Sequence, residues 1–254
     1  MSHIPGKFVW FEHRSPDIPK ARKFYDALFG WHTEAMPIGG QRYSMILNGD
    51  GTTSTGIGGY GANAAGTRPH WMSYLSVGDV DASYQAALAA GATSVSAPTD
   101  YGPVGRGAAL RDPTGAVFSL WRSAEGDRAD AEKTPIGDWC WNELWTNNAA
   151  QALGFYERVF GYRRDAMDMG PMGTYYMLKT GEVARAGLMQ SVDPNAPSMW
   201  LPYVAVADCD ATVARARALG GQVLSTPEEI PNIGRFAILQ DTLGAAIAVI
   251  RLVG

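Results

Sequence analysis

The helix-like ending KFYDALFGW (Lys23–Trp31) is written again as GFYERVFGY (Gly154–Tyr162). The likeness extends well beyond these nine residues. WFEHRSPDIPKARKFY (Trp10–Tyr25) falls on WNELWTNNAAQALGFY (Trp141–Tyr156) without a gap, a shift of 131 residues (10 to 141). HWMSYLSVGDVDA (His70–Ala82) falls on MWLPYVAVADCDA (Met199–Ala211) at a shift of 129 (70 to 199). GRGAALRDPTGAVFSLWR (Gly105–Arg122) falls on GRFAILQDTLGAAIAVIR (Gly234–Arg251) at the same shift. Offsets that change only between matched stretches mark an internal duplication. The duplication predicts two domains, 1–122 and 139–254, joined by a charged, aperiodic linker over 123–138, SAEGDRADAEKTPIGD.

Each copy is itself doubled. Ile18, Ala21, Tyr25, Leu28 and Phe29 share one helical face that stops at Gly30, and Val80, Tyr84, Ala87 and Leu88 make a similar stripe before Gly91. One strand-like run precedes each helix (FVWFEH, WMSYLSV). About three follow it: TEAMP, RYSMIL and GIGGYG, then SVSAP, GAALRD and AVFSLWR. The turn DPTG (Asp112–Gly115) closes the last hairpin. The expected fold is therefore α+β, with four βαβββ units in tandem. Their strands form two cup-shaped half-barrel sheets with the helices outside. Apolar residues at both parities of WMSYLSV fit strands covered on both faces. The FY-FG helix ends then read as packing against the back of a sheet.

At 254 residues the chain can bury a core in each copy, and 46% hydrophobic with 18% charged residues argues against disorder. A net charge of -4 with no Lys/Arg cluster gives no electrostatic case for nucleic acid. The opening MSHIPGKFVWF lacks a secretory pattern, and no segment nears the ~18 apolar residues of a membrane helix, so a cytoplasmic location is expected. Cys140 and Cys209 are too few for a disulfide framework and read as small buried residues.

The fourfold unit, the F-Y-x-x-x-F-G helix end, the D-V-D-A helix start and the D-P-T-G-A-x-F-x-L-W hairpin resemble the vicinal-oxygen-chelate superfamily. That superfamily includes glyoxalase I, extradiol dioxygenases and the bleomycin-resistance proteins; the likeness is greatest to its two-repeat bacterial members. The resemblance implies a divalent metal held by His, Glu or Gln on inner strand faces. At the corresponding positions stand Trp10 and Trp141, Met72 and Leu201, and Ser119 and Ala248, while GIGGY and AGLMQ carry no carboxylate or imidazole. His3, His13, His32 and His70 have no counterparts in the second copy. The expectation is no metal site and no cofactor.

What faces each cup is aromatic and sulfur-bearing. Trp10 and Trp141 place Glu12 and Glu143 on the same inner face, two residues along. Tyr74 and Tyr203 join Met72 and Leu201, and Tyr43 and Met45 answer to Tyr175 and Met177. Such a lining suits a flat, partly apolar small molecule. Glu12 and Glu143 are the catalytic candidates: a carboxyl in an apolar cup is suited to proton transfer. The structural alternative pairs them with Arg106 and Arg235. Asp112 and Asp241 read as turn caps. The functional expectation is a small-molecule-binding protein. The alternatives are a metal-independent lyase or isomerase using Glu12 or Glu143 as base, and a metal-dependent glyoxalase or dioxygenase. The expected partner is a small molecule alone, with no nucleic acid and no membrane. The chain is expected to be a monomer with an internal pseudo-twofold, or a homodimer.

Overall fold

The structure is a computed structural model. It describes residues 2–38, 41–49, 54–64 and 66–253, with the backbone alone for Gln41 and Met172. Strand–helix–strand–strand–strand occurs four times. The first copy contains β1 (Phe8–Ser15), α1 (Ile18–Phe29), β2 (His32–Ile38), β3 (Gln41–Asn48) and β4 (Thr55–Ala62). It continues with β5 (His70–Ser76), α2 (Val80–Ala89), β6 (Thr93–Asp100), β7 (Gly105–Arg111) and β8 (Val117–Ser123). The second copy contains β9 (Trp139–Thr146), α3 (Ala149–Phe160), β10 (Arg163–Asp168), β11 (Thr174–Thr180) and β12 (Val183–Gln190). It ends with β13 (Met199–Ala205), α4 (Cys209–Ala218), β14 (Gln222–Ile230), β15 (Gly234–Gln240) and β16 (Ala246–Leu252). Among the described residues, no helix is long and apolar enough to cross a membrane.

Local chemistry sets the helix ends. Asp17 accepts the amide of Lys20 at 3.0 Å and Asn148 that of Gln151 at 3.1 Å, closing the first turns of α1 and α3. Both helices stop at a left-handed glycine, Gly30 (φ 74°) and Gly161 (φ 69°), a conformation that costs glycine nothing. The D-V-D-A and D-C-D-A motifs are N-caps as well, with Asp79 and Asp208 holding the amides of Ala82 and Ala211.

The strands form two eight-stranded sheets, ordered β2-β3-β4-β1-β5-β8-β7-β6 and β10-β11-β12-β9-β13-β16-β15-β14. Within each βαβββ unit the last strand returns parallel to the first, as β4 to β1 and β12 to β9, and the hairpins between are antiparallel. The chain also divides into two compact units, each drawn from both copies. One comprises residues 1–10, 72–130 and 141–200; the other comprises 11–71, 131–140 and 201–254.

A buried carboxylate organises each unit. In the second, Asp241 Oδ1 accepts the amides of Leu243, Gly244 and Ala245 at 2.8, 2.8 and 2.9 Å, which closes the β15–β16 turn. Its Oδ2 accepts Tyr25 Oη at 3.0 Å and His13 Nε2 at 2.7 Å, both from the other copy. Trp71 Nε1 donates to the same tyrosine oxygen at 2.9 Å. The first unit repeats the device. Asp112 Oδ1 accepts the amides of Thr114 and Ala116, Oδ2 accepts Tyr156 Oη at 2.9 Å, and Trp200 donates to that tyrosine at 2.9 Å. The turn reading of both aspartates holds, and it covers only one of the two oxygens. The tyrosine of each F-Y motif is fully buried, as a core reading expects, and its hydroxyl reaches the opposite copy.

Leu144 occupies the second copy's equivalent of His13, so the two carboxylates differ in environment. Burial pushes the Asp112 carboxyl above the ordinary range despite its hydrogen bonds. Burial acts the same way on Asp241, but the hydrogen bond and charge of His13 and the turn amides outweigh it, leaving that carboxyl below its usual value. A depressed carboxyl stabilises the fold above its unfolded pKa of about 3.9, and that contribution is lost as pH falls through the folded value. A raised one does the reverse, since acid relieves the cost of keeping it ionised. Asp241→Asn should therefore lose roughly 1–3 kcal/mol at pH 7 and show a shallower acid limb than the parent protein. Asp112→Asn should show a steeper one. Denaturant unfolding followed from neutral to acidic pH measures both slopes.

Candidate functional site

The pleat of β1 sends His13 to the helix side and Glu12 to the other face. In the parallel β1–β4 register Glu12 lies opposite Gly59, and Arg14 opposite Gly61. The Glu12 side chain is 6% exposed, and it is held from two sides: Tyr43 Oη donates at 2.9 Å, and Arg14 Nη1 forms an ion pair. A Cβ on Gly59 would overlap the Tyr43 hydroxyl, and one on Gly61 would overlap Glu12 and Arg14. The glycine-rich β4 therefore supplies the floor on which phenol, carboxylate and guanidinium meet.

The equivalent centre on β9 and β12 places Glu143 opposite Gly187. Trp145 Nε1 donates to Glu143, Tyr175 hydrogen-bonds to the same carboxylate, and Trp141 Nε1 donates to Tyr175 Oη at 2.8 Å. Burial, reinforced by the Glu143 charge, pushes the Tyr175 phenol far above its ordinary value, so it stays a protonated donor. Gly187 has the role of Gly59, since a Cβ there would overlap Tyr175 Oη.

The expected pairing of Glu12 with Arg106, and of Glu143 with Arg235, does not occur. Arg106 binds Asp81 through two hydrogen bonds of 2.7 and 2.8 Å and also pairs with Asp100 at 3.0 Å. Arg235 binds Asp210 in the same fork at 2.7 and 3.0 Å. The cause is strand parity. Arg106 sits opposite Arg122 in the β7–β8 register, on the face shared with buried Phe118 and Leu120, where it meets the first turn of α2.

The remaining expected lining falls in both compact units. Tyr43, Met45, Leu201 and Tyr203 lie with Glu12 in the second unit; Trp10, Met72, Tyr74, Trp141, Tyr175 and Met177 lie with Glu143 in the first. Glu12 meets Tyr43, and Glu143 meets Tyr175 and, through it, Trp141. Met45 and Met177 flank these centres opposite Gly59 and Gly187. Met72, Leu201 and Tyr203 are buried, Tyr203 against Phe236 at 6.3 Å, and Tyr74 packs on Trp121 at 6.0 Å. Residue-type reading missed Arg14 and Trp145. The signal was available, because a residue two beyond a strand glutamate shares its face.

The donor set fits a divalent metal poorly. Among the described residues, no group of three or more His, Cys, Asp or Glu side chains could hold an ion. Trp10 and Trp141 present indoles, Met72 a thioether, Ser119 a hydroxyl, and Leu201 and Ala248 no donor at all. The histidines are engaged elsewhere: His3 with the Ser123 carbonyl, His13 with Asp241, His32 with Ser54 and His70 with the Arg68 carbonyl. Burial pushes the thiols of Cys140 and Cys209 up to about 12 and about 11, which keeps them protonated.

The family model for the Glyoxalase/Bleomycin resistance protein/Dioxygenase superfamily matches residues 7–120 and 140–249. "Putative glyoxylase CFP32" of Mycobacterium tuberculosis is 38% identical over 245 residues, covering 95% of this chain and 93% of its own. The anthracycline biosynthesis protein DnrV of Streptomyces peucetius is 31% identical over 262 residues, covering 98% and 94%. Among solved structures, the Mn(II)-bound glyoxalase from Novosphingobium aromaticivorans superposes with a TM-score of 0.69 at 15% identity, covering 99% of this chain and 83% of that one.

The glycine floor gives a direct test of the second-copy geometry. Gly187→Ala should leave the protein folded but displace the Tyr175 hydroxyl from its buried seat. Its phenol should then titrate nearer the ordinary value of about 10. An alkaline absorbance titration of Gly187→Ala, compared with Gly187→Ala/Tyr175→Phe, isolates that transition.

Proposed function

From the premise that the chain belongs to the Glyoxalase/Bleomycin resistance protein/Dioxygenase superfamily, we propose that it binds a small, partly aromatic or hydrophobic molecule at the Glu12 and Glu143 centres without metal coordination by its side chains. The observation that carries this reading is the repeated centre itself. In both copies a buried glutamate accepts a tyrosine hydroxyl over a glycine, beside the position where metal-using relatives carry a ligand and this chain carries tryptophan. Indole and thioether groups supply broad apolar contact area, and the single carboxylate orients one polar group of a ligand. Relatives named as a glyoxylase and as an anthracycline biosynthesis protein support a small organic ligand.

A second reading gives the same glutamates a proton-transfer role, as base of a metal-independent lyase or isomerase. It is favoured by the tyrosine hydroxyl held 2.9 Å from the Glu12 carboxylate, which keeps that group aimed. Mass spectrometry of ligands after incubation separates the two, since a changed mass or isomer requires turnover.

Glu12→Gln and Glu143→Gln should each weaken binding of a thermal-shift hit by about tenfold, in keeping with the loss of a charged hydrogen-bond partner, while the melting temperature changes little. A large fall in stability with binding intact would make the glutamates structural. Elemental analysis of the purified protein is the companion measurement. About one tightly held Fe, Mn, Ni or Zn per copy would overturn the metal-independent reading.

A further inference from the structure

The two glutamate centres differ at one register position, and they differ on both strands at once. On the face of Glu12, the next step along the β1–β4 ladder pairs Arg14 with Gly61; on the face of Glu143, the same step of the β9–β12 ladder pairs Trp145 with Met189. We infer that the copies have divided their recognition chemistry: the Glu12 centre receives an anionic oxygen, such as that of a small organic carboxylate, through Arg14, and the Glu143 centre receives an uncharged ligand surface. This deepens the ligand-binding reading above and rests on it.

The geometry at the first centre puts the acid inside and the cation outermost. The Glu12 side chain is 6% exposed and that of Arg14 36%. Gly61 makes this possible, since a side chain there would overlap both Glu12 Oε1 and Arg14 Nη1. A guanidinium offers five donors in a rigid plane that matches a carboxylate in bidentate fashion. An arginine anchored by a buried glutamate, itself fixed by Tyr43, is therefore preorganised as an oxyanion receptor. Glu12 also positions Arg14 in this arrangement, and Arg14 is the group that meets the anionic oxygen.

At the second centre the corresponding donor is an indole. Tryptophan has one N–H, and Trp145 spends it on Glu143. What Trp145 and Met189 then offer a ligand is a ring face and a polarizable thioether, which favour apolar and aromatic surface over charge.

The test uses the full chain and two probes of equal shape, naphthoate and naphthylmethanol, with equilibrium dialysis as readout. Arg14→Gln should weaken naphthoate binding by about tenfold or more and weaken naphthylmethanol binding far less. Arg14→Lys, which keeps the charge but not the fork, should fall between. Naphthoate binding should weaken with added salt in the parent protein, and that dependence should vanish in Arg14→Gln. Copying the first centre onto the second, with Trp145→Arg/Met189→Gly, should add a second naphthoate site. Binding of both probes with no effect of Arg14→Gln or Arg14→Lys overturns this inference alone. Binding of neither probe by the parent protein overturns it together with the ligand-binding reading.

Discussion

A carboxylate has two oxygens, and in this protein one closes a hairpin while the other reaches a helix of the opposite copy, 216 residues away for Asp241 and 44 for Asp112. Asp241 and Asp112 each hold their turn amides with Oδ1 and a buried tyrosine with Oδ2. A buried charge is tolerated only when its hydrogen-bonding capacity is filled. Each turn therefore requires its tyrosine, and each tyrosine requires an indole N–H on its other side. Each compact unit joins one βαβββ unit from each copy, and the aspartate–tyrosine bond is a buried polar contact between the two βαβββ units within it.

On β1 the helix side carries His13 into that buried network, on β9 it carries the apolar Leu144, and the opposite face of each strand holds the glutamate. Strand alternation enforces the separation. His13, one residue from Glu12, belongs to the aspartate network, and Glu12 belongs to the phenol and guanidinium. The same alternation explains why Arg106 and Arg235 cannot serve the glutamates, since their side chains lie on the helix side and meet aspartates at the starts of α2 and α4. Duplication supplied two such faces, and substitution at one register step made them chemically unequal.

The order of elements was legible from residues alone. Periodicity located α1 and α2, the repeat carried α1 onto α3, and the glycines at 30 and 161 end α1 and α3. The aspartates before Ala82 and Ala211 mark the other two helix starts. Glu12 and Glu143 were legible as inward-facing carboxylates because a two-residue step from Trp10 and Trp141 needs only strand geometry. Of their partners, only Arg14 and Trp145 follow from the same two-residue step. Gly59 and Gly187 acquire meaning only once β4 and β12 are known to run parallel beside the first strands at a particular register. The tyrosine hydroxyl carries no local pattern that names its contact.

The chain's linear text determined its fourfold βαβββ plan, its duplicated copies, its helix boundaries and the residue types on each strand face, because those follow from short-range periodicity and from repetition. Tertiary structure decided which copy each unit packs with, that Tyr25 and Tyr156 bind aspartates of the opposite copy, and that Arg14 rather than Arg106 meets Glu12. Arg14 meets Glu12 because strand alternation turns Arg106 to the other face; the aspartate–tyrosine contacts join residues 216 and 44 apart, chosen by sheet register and by the need to satisfy buried polar groups. No local preference encodes either.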